Sequence, residues 1–180
     1  MTSSTTSSPS KSYQGPPAQK IQTMFDRIAP SYDRLNNILS LGIHHMWKSK
    51  LIKLSGAKLG DQILDCATGT GDLARLFART VGSEGNVIAT DFSEQMLVHA
   101  KQRIHPPHLC FEQADVTQLP YEDQRFDVCS ISFGIRNVEN PLQGIAEMLR
   151  VTRPGGRVLI MEFGRSPYRL WRALYHMYAK

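Results

Sequence analysis

The chain has 180 residues, 41% of them hydrophobic and 21% charged, with a formal net charge of +5. That length suits one domain with a sizeable core. No apolar run reaches the ~18 residues that span a bilayer, and the modest positive charge selects no partner by itself.

In chain order, residues 1–20 (MTSSTTSSPSKSYQGPPAQK) are rich in Ser, Thr and Pro and are expected to form a disordered tail. The stretch has neither the apolar centre of a secretion signal nor the arginines of a mitochondrial transit peptide, so a cytoplasmic protein is expected. From Ile21 the pattern turns helical, with Ile21, Met24, Phe25 and Ile28 at 3–4 spacing until Pro30 breaks it. A second short helix is expected from Tyr32 to Leu39 and a third from His44 to Leu54. Residues 21–56 would then fold over a sheet edge as a helical lid, ahead of a core spanning residues 57–180.

A regular alternation follows. QILDC reads as a first strand, and DLARLFARTV as a helix with Leu73, Leu76, Phe77 and Val81 on one face. NVIATD is a second strand; SEQMLVHAKQRI is a helix capped by Ser93 with Met96, Leu97, Ala100 and Ile104 inward. HLCFEQAD is a third strand and FDVCSISFG a fourth, apolar throughout as a strand covered on both faces would be. PLQGIAEMLRVT is a helix that stops at Arg153-Pro154-Gly155-Gly156, and GRVLIMEF is a fifth strand. Strands separated by helices predict an α/β fold with a doubly wound, mostly parallel sheet. Cys66, Cys110 and Cys129 fall in these strand-like runs without metal-ligand spacing, so buried free thiols in a reducing compartment and no metal are expected. The last segment, SPYRLWRALYHMYAK, reads as an amphipathic helix with Leu170, Trp171, Leu174 and Tyr178 opposite Arg169, Arg172, His176 and Lys180.

The stretch ILDCATGTGDLARLF places a glycine loop between the first strand and its helix. Gly69-Thr70-Gly71-Asp72-Leu73-Ala74 fits a dinucleotide-binding fingerprint, and Asp91 lies where a ribose-binding acid belongs. Charge argues against a dinucleotide: Asp65 and Asp72 flank the loop and would repel a pyrophosphate. S-adenosylmethionine has no phosphate and carries a sulfonium and an ammonium. Asp65 would hold its amino group, directly or through water, while amides of the Gly69–Gly71 loop serve its carboxylate. Asp91, ending the second strand, would accept from both ribose hydroxyls. Asp115, ending the third, would accept from the adenine amino group beside the Val116 amide. Such strand ends converge on one crevice in open α/β sheets.

Three further stretches carry a family resemblance. Tyr32-Asp33-Arg34-Leu35-Asn36 with Leu39–His44 and Trp47 resembles the amino-terminal signature of the ubiquinone/menaquinone biosynthesis C-methyltransferases, a class I S-adenosylmethionine-dependent family with a Rossmann-like fold. Ser132-Phe133-Gly134-Ile135-Arg136-Asn137-Val138 resembles the motif after that family's fourth strand, and Arg150–Gly156 the turn before its fifth. The resemblance implies donor contacts at Thr70, Asp91, Asp115, Val116 and Ser132. Position 67 is Ala where many methyltransferases have Gly. Relatives continue past this point with an antiparallel strand pair completing the sheet, so the chain reads as short at its C-terminus.

The resemblance also implies the reaction: methyl transfer to a ring carbon of a demethylmenaquinol or a related polyprenyl benzoquinol, in menaquinone or ubiquinone biosynthesis. Arg136 is expected to stabilise phenolate charge, Asn137 to orient the hydroxyl, Tyr32 to close over the donor, and His44 to serve as base. A polyprenylated acceptor suggests peripheral membrane contact, with the basic, aromatic terminal helix a candidate for it. No basic stripe with interleaved aromatics points to nucleic acid. A methyltransferase acting on another small molecule, or a donor-binding but inactive fragment, stands as the alternative.

Overall fold

The computed structural model describes residues 14–29 and 43–162, with the His44 side chain excepted. Tyr32, the expected helix from Tyr32 to Leu39, the tail before residue 14 and the expected terminal helix lie outside the described residues. The elements are α1 (Ala18–Ile28), α2 (Ile43–Ser55), β1 (Gln62–Cys66), α3 (Asp72–Val81), β2 (Asn86–Asp91), α4 (Glu94–Gln102), β3 (Leu109–Gln113), β4 (Phe126–Ser132), a single 3-10 turn at Ile135–Asn137, α5 (Pro141–Val151) and β5 (Thr152–Met161).

The five strands form one sheet in the order β3-β2-β1-β4-β5. Every pairing is parallel; Leu64, for example, sits opposite Ile88 on one side and Cys129 on the other. The chain order therefore reverses between β1 and β4, and a parallel sheet of this kind opens its ligand crevice at the carboxyl ends of those strands.

Successive residues of each central strand point to opposite faces and enter two separate cores. Ile63, Val87 and Val128 pack with Leu73, Phe77, Leu97 and Phe111 on the α3/α4 side. Leu64, Ile88 and Cys129 pack with Tyr121, Phe126, Met148 and Val151 on the α5 side. Burial on both faces is why β1, β2 and β4 read as unbroken apolar runs.

Four expectations change. Cys66 and Cys129 are buried free thiols, but Cys110 is exposed; β3 is an edge strand whose residues alternate between the core and the surface, and Cys110 takes an outer position. On α3, Leu73, Phe77 and Val81 are buried as expected and are joined by Ala74, Arg75 and Ala78, while Leu76 is half-buried. Helix α4 ends at Gln102, so Ile104 lies beyond it and is 99% exposed. Finally, β5 begins at Thr152, before the Pro-Gly-Gly stretch. Phe126 faces Thr152 and Val128 faces Arg157, so Asp127 alone stands opposite residues 153–156. Gly155, at φ 81°, absorbs the resulting bulge. Asp127 holds the irregularity in place, accepting from the Gln62 amide at 2.7 Å and pairing with Arg153.

Candidate active site

The crevice begins where β1 stops. Ala67 follows at φ 49°, Gly69 at φ 59° and Gly71 at φ 79°, a succession of left-handed residues that turns the strand into α3 within five positions. The left-handed conformation at 67 is the physical reason glycine suits that position, and Ala67 carries the strain. Phe133, at the end of β4, is the matching case at φ 56°. A Cβ placed on the adjacent Gly134 would stand 2.6 Å from the Ala67 Cβ, so the two strand ends meet methyl to backbone.

Buried Arg75 braces this loop. Its guanidinium donates to the Thr70 carbonyl at 2.7 Å and to the Ala100 carbonyl at the end of α4 at 2.6 Å, and it sits 5.6 Å from the Phe111 ring centroid. An arginine inside a helix usually reaches for water, so nothing in the pattern marked it. Thr70, an expected donor contact, is buried, with its carbonyl held by Arg75.

The acids take different parts. Asp72 pairs with Lys48 at 3.2 Å and Arg103 at 2.7 Å. Burial pushes its pKa up, but the two cations outweigh that and hold it below the ordinary value. Its charge is thus matched, and it does not repel an anion as the sequence argument required. Asp65 is 1% exposed and lies outside the cavity lining. The Ser130 and Thr68 hydroxyls donate to its two oxygens, each at 2.7 Å. Burial raises its pKa to about 6, against the pull of those hydroxyls and of Lys48. Asp65 therefore underpins the loop from outside the cavity lining.

Asp91 does reach the crevice. Its carboxylate accepts from the Gly69 amide at 2.7 Å and the Ser93 amide at 2.9 Å. Burial raises its pKa, opposed by the amides of Ser93, Gly69 and Phe92. Asp115 lies two residues past β3 rather than at its end. The Thr117 amide and hydroxyl both donate to its Oδ1, at 2.8 and 2.7 Å, forming a closed turn.

These groups surround a cavity of about 230 Å³. Gly69, Asp91, Asp115, Val116, Ser132 and Asn137 all line it, as do Ala67 and Phe133. Helix α1 adds a further wall, through Ala18, Ile21, Gln22 and Phe25. Gly71 and Arg136 do not line it. A Cβ on Gly71 would stand 2.6 Å from Phe111, so that glycine serves packing. Arg136 is largely exposed and ion-paired with Glu162. Among the described residues, Asn137 is thus the expected catalytic side chain that borders the cavity; Tyr32 and the His44 side chain lie outside them.

A small-molecule donor fits this lining on one direct observation. The Ser132 hydroxyl is buried and has no hydrogen-bond partner among the described residues, although buried polar atoms are nearly always paired. A ligand carrying a polar group beside β4 would complete it. Among the described residues, no cluster of His, Cys, Asp and Glu could hold a metal ion.

A parallel sheet in this order, with a glycine loop after β1, an acid at the end of β2 and another just past β3, is the class I S-adenosylmethionine-dependent methyltransferase fold. It aligns with the crystal structure of a methyltransferase from Aquifex aeolicus at a TM-score of 0.59 and 24% identity, covering 87% of this chain and 84% of that one. It also aligns with the [4+2]-cyclase SpnF at a TM-score of 0.71 and 22% identity, covering 83% of this chain and 62% of that one, so the fold alone does not fix the chemistry.

The sequence goes further. The chain belongs to the ubiE/COQ5 methyltransferase family, whose model matches residues 14–180. It is 54% identical to a ubiquinone/menaquinone biosynthesis C-methyltransferase of Bdellovibrio bacteriovorus over 94% of this chain and 72% of that protein. Identity is 43% to the enzyme of the same name from Stutzerimonas stutzeri, over 90% of this chain and 65% of that one. It is also 43% to a 2-phytyl-1,4-naphtoquinone methyltransferase of Trichormus variabilis, over 88% and 71%. The chain thus spans about two thirds of the length of these relatives.

Proposed function

We propose that the cavity holds S-adenosylmethionine and that the protein methylates a ring carbon of a polyprenylated quinol. The observation that carries the reading is the buried, unpartnered Ser132 hydroxyl on the same cavity wall system as Asp91 and Asp115. In this reading Asp91 receives the ribose hydroxyls, Asp115 and the Val116 amide face the adenine edge, Ser132 and the Gly69 amide region face the methionine end, and Asp65 steadies the loop from below. The donor supplies an electrophilic methyl group on a positively charged sulfur.

In this reading a base takes the quinol hydroxyl proton, and the ring carbon would bond the methyl group as the sulfur–methyl bond breaks. That carbon's own hydrogen would then leave as a proton while the oxygen is reprotonated, which restores the aromatic ring. The chain's own contribution is to hold the acceptor carbon in line with the methyl group and to keep water away. Asn137, at the cavity wall, is placed to orient a hydroxyl. Phe133 lines both this cavity and a neighbouring apolar groove formed by α2 and β5. Trp47 stands on that groove with its ring centroid 6.0 Å from that of Phe133. The acceptor ring is assigned to the Phe133 junction, where the two spaces meet. Arg136 is ion-paired with Glu162, which lines the groove.

The names of the relatives favour a naphthoquinol or benzoquinol acceptor. No helix among the described residues is long and apolar enough to cross a membrane, so contact with a lipid-borne acceptor is assigned to the protein surface. The test is to incubate the protein with methyl-labelled donor and, in turn, a demethylmenaquinol and a demethylated polyprenyl benzoquinol. Label in the ring of either lipid is expected. Donor binding with no label in either lipid would overturn the acceptor assignment.

A further inference from the structure

Helix α1 forms a full wall of the cavity, yet none of its residues is buried, whereas α3 buries six. Ala18, Ile21, Gln22 and Phe25 recur at the spacing that places side chains on one helical face, and that face meets the cavity rather than a packed core. Polar contacts at its two ends hold it. At the start, the Glu139 carbonyl accepts from the Gly15 amide at 2.8 Å and the Glu139 carboxylate from the Ala18 amide at 3.3 Å. Pro17 offers α1 no side-chain cap, so an acid beyond β4 supplies the negative charge that a helix N-terminus favours. Toward the other end, the Ser93 hydroxyl donates to Asp26 Oδ1 at 2.5 Å, and the Gln22 side-chain amide donates to the Phe92 carbonyl at 3.4 Å. The helix therefore bridges the loop after β4 to the loop after β2, across the mouth between them.

We propose that α1 is a strap whose closure is linked to occupancy of the donor cavity, with Asp26 as its clasp and as a positioning residue for Asp91. The link is a short chain of hydrogen bonds: Asp26 accepts from Ser93 Oγ, and the Ser93 amide donates to Asp91 Oδ1 at 2.9 Å. Closing the strap orders the turn that aims Asp91, and a ligand seated on Asp91 adds contacts to Ile21 and Phe25 that exist only while the strap is shut. Each event favours the other by the same factor. An element with little buried area opens readily, which lets a donor enter and its spent form leave without disturbing the sheet. The proposal rests on the donor reading given above.

The experiment follows backbone hydrogen exchange of residues 18–28 in the full chain, with and without saturating S-adenosylhomocysteine, alongside calorimetric binding. The ligand is expected to slow exchange in α1 by about tenfold or more. Asp26→Ala should abolish that protection and speed ligand dissociation roughly tenfold, the loss expected for a hydrogen bond to a charged group. Asp26→Asn still offers Ser93 an acceptor oxygen and should restore both. Ligand binding with unchanged exchange in α1, or an Asp26→Ala protein that matches wild type, would overturn the strap and leave the donor site standing. Failure of the wild-type protein to bind the ligand would overturn both.

Discussion

The Gly69 amide and the Asp91 carboxylate are joined across 2.7 Å, from the first glycine of the loop to the end of the neighbouring strand. One oxygen of Asp91 is consequently tied to the glycine loop, and the other accepts from the Ser93 amide. Asp91→Ala should weaken S-adenosylhomocysteine binding by about 1.5–3 kcal/mol, the range for lost charged hydrogen bonds. Calorimetry on a variant with unchanged circular dichroism checks this; wild-type affinity would remove Asp91 from the site.

Asp65 makes stability depend on pH in an unusual direction. Its pKa of about 6 in the fold exceeds the ordinary 3.8 because burial disfavours the charge. Between those values the folded protein keeps a proton that the unfolded chain has released, so raising the pH favours unfolding. The cost grows to roughly 3 kcal/mol by pH ~6 and then levels off. Asp72 and Glu147, held below the ordinary range, act oppositely and lose stability as pH falls. Asp65→Asn isolates the effect: relative to wild type, its urea midpoint should rise between pH ~4 and ~6.

Two left-handed glycines separate strain from collision. Gly60, at φ 85°, has nothing within 4 Å of an added Cβ, whereas Gly71, at φ 79°, would drive one into Phe111 and Arg75. Gly60→Ala should cost about 1 kcal/mol for backbone strain alone. Gly71→Ala should cost distinctly more and also weaken donor binding. Thermal unfolding of both variants, side by side, gives the comparison.

Arg75→Met keeps much of the side-chain bulk but removes both donors, leaving the Thr70 and Ala100 carbonyls short of a partner. A loss of roughly 2–4 kcal/mol is expected in denaturant unfolding. A change no larger than that of a surface substitution would mean the brace is dispensable.

Arg136→Ala breaks a largely exposed ion pair with Glu162. Stability should move by no more than about 0.5 kcal/mol, with S-adenosylhomocysteine affinity unchanged. Quinol methylation then reads out any role at the acceptor side, and full turnover would end the assignment made from the sequence.

The parallel sheet was legible because β1, β2 and β4 are buried on both faces and so contain almost nothing but apolar residues. β3 was harder: as an edge strand it alternates, and Cys110 was placed inside when it faces out. The cavity could be traced from Gly69, Asp91, Asp115 and Ser132, which the chain carries at strand ends or just beyond them. The role of Asp72 could not, since its neutralising partners, Lys48 on α2 and Arg103 just past α4, are remote in sequence. Arg75 and Asp26 were invisible for a related reason: each looks like a solvent-facing charge until tertiary structure supplies its partner. The Ile21–Phe25 stripe was read as part of a lid over a sheet edge, and the three-dimensional arrangement sets it against the cavity.

The contact between Ala67 and Gly134 implies that the order of substitutions matters. The space between those strand ends admits one methyl group. With Ala at 67, any side chain at 134 must displace backbone; a chain that first acquired Gly at 67 would shed strain there and make room opposite. The pair should therefore show strong non-additivity, with Gly134→Ala damaging alone and tolerated in an Ala67→Gly background, so that this corner of the molecule can drift only through one of its two possible intermediates.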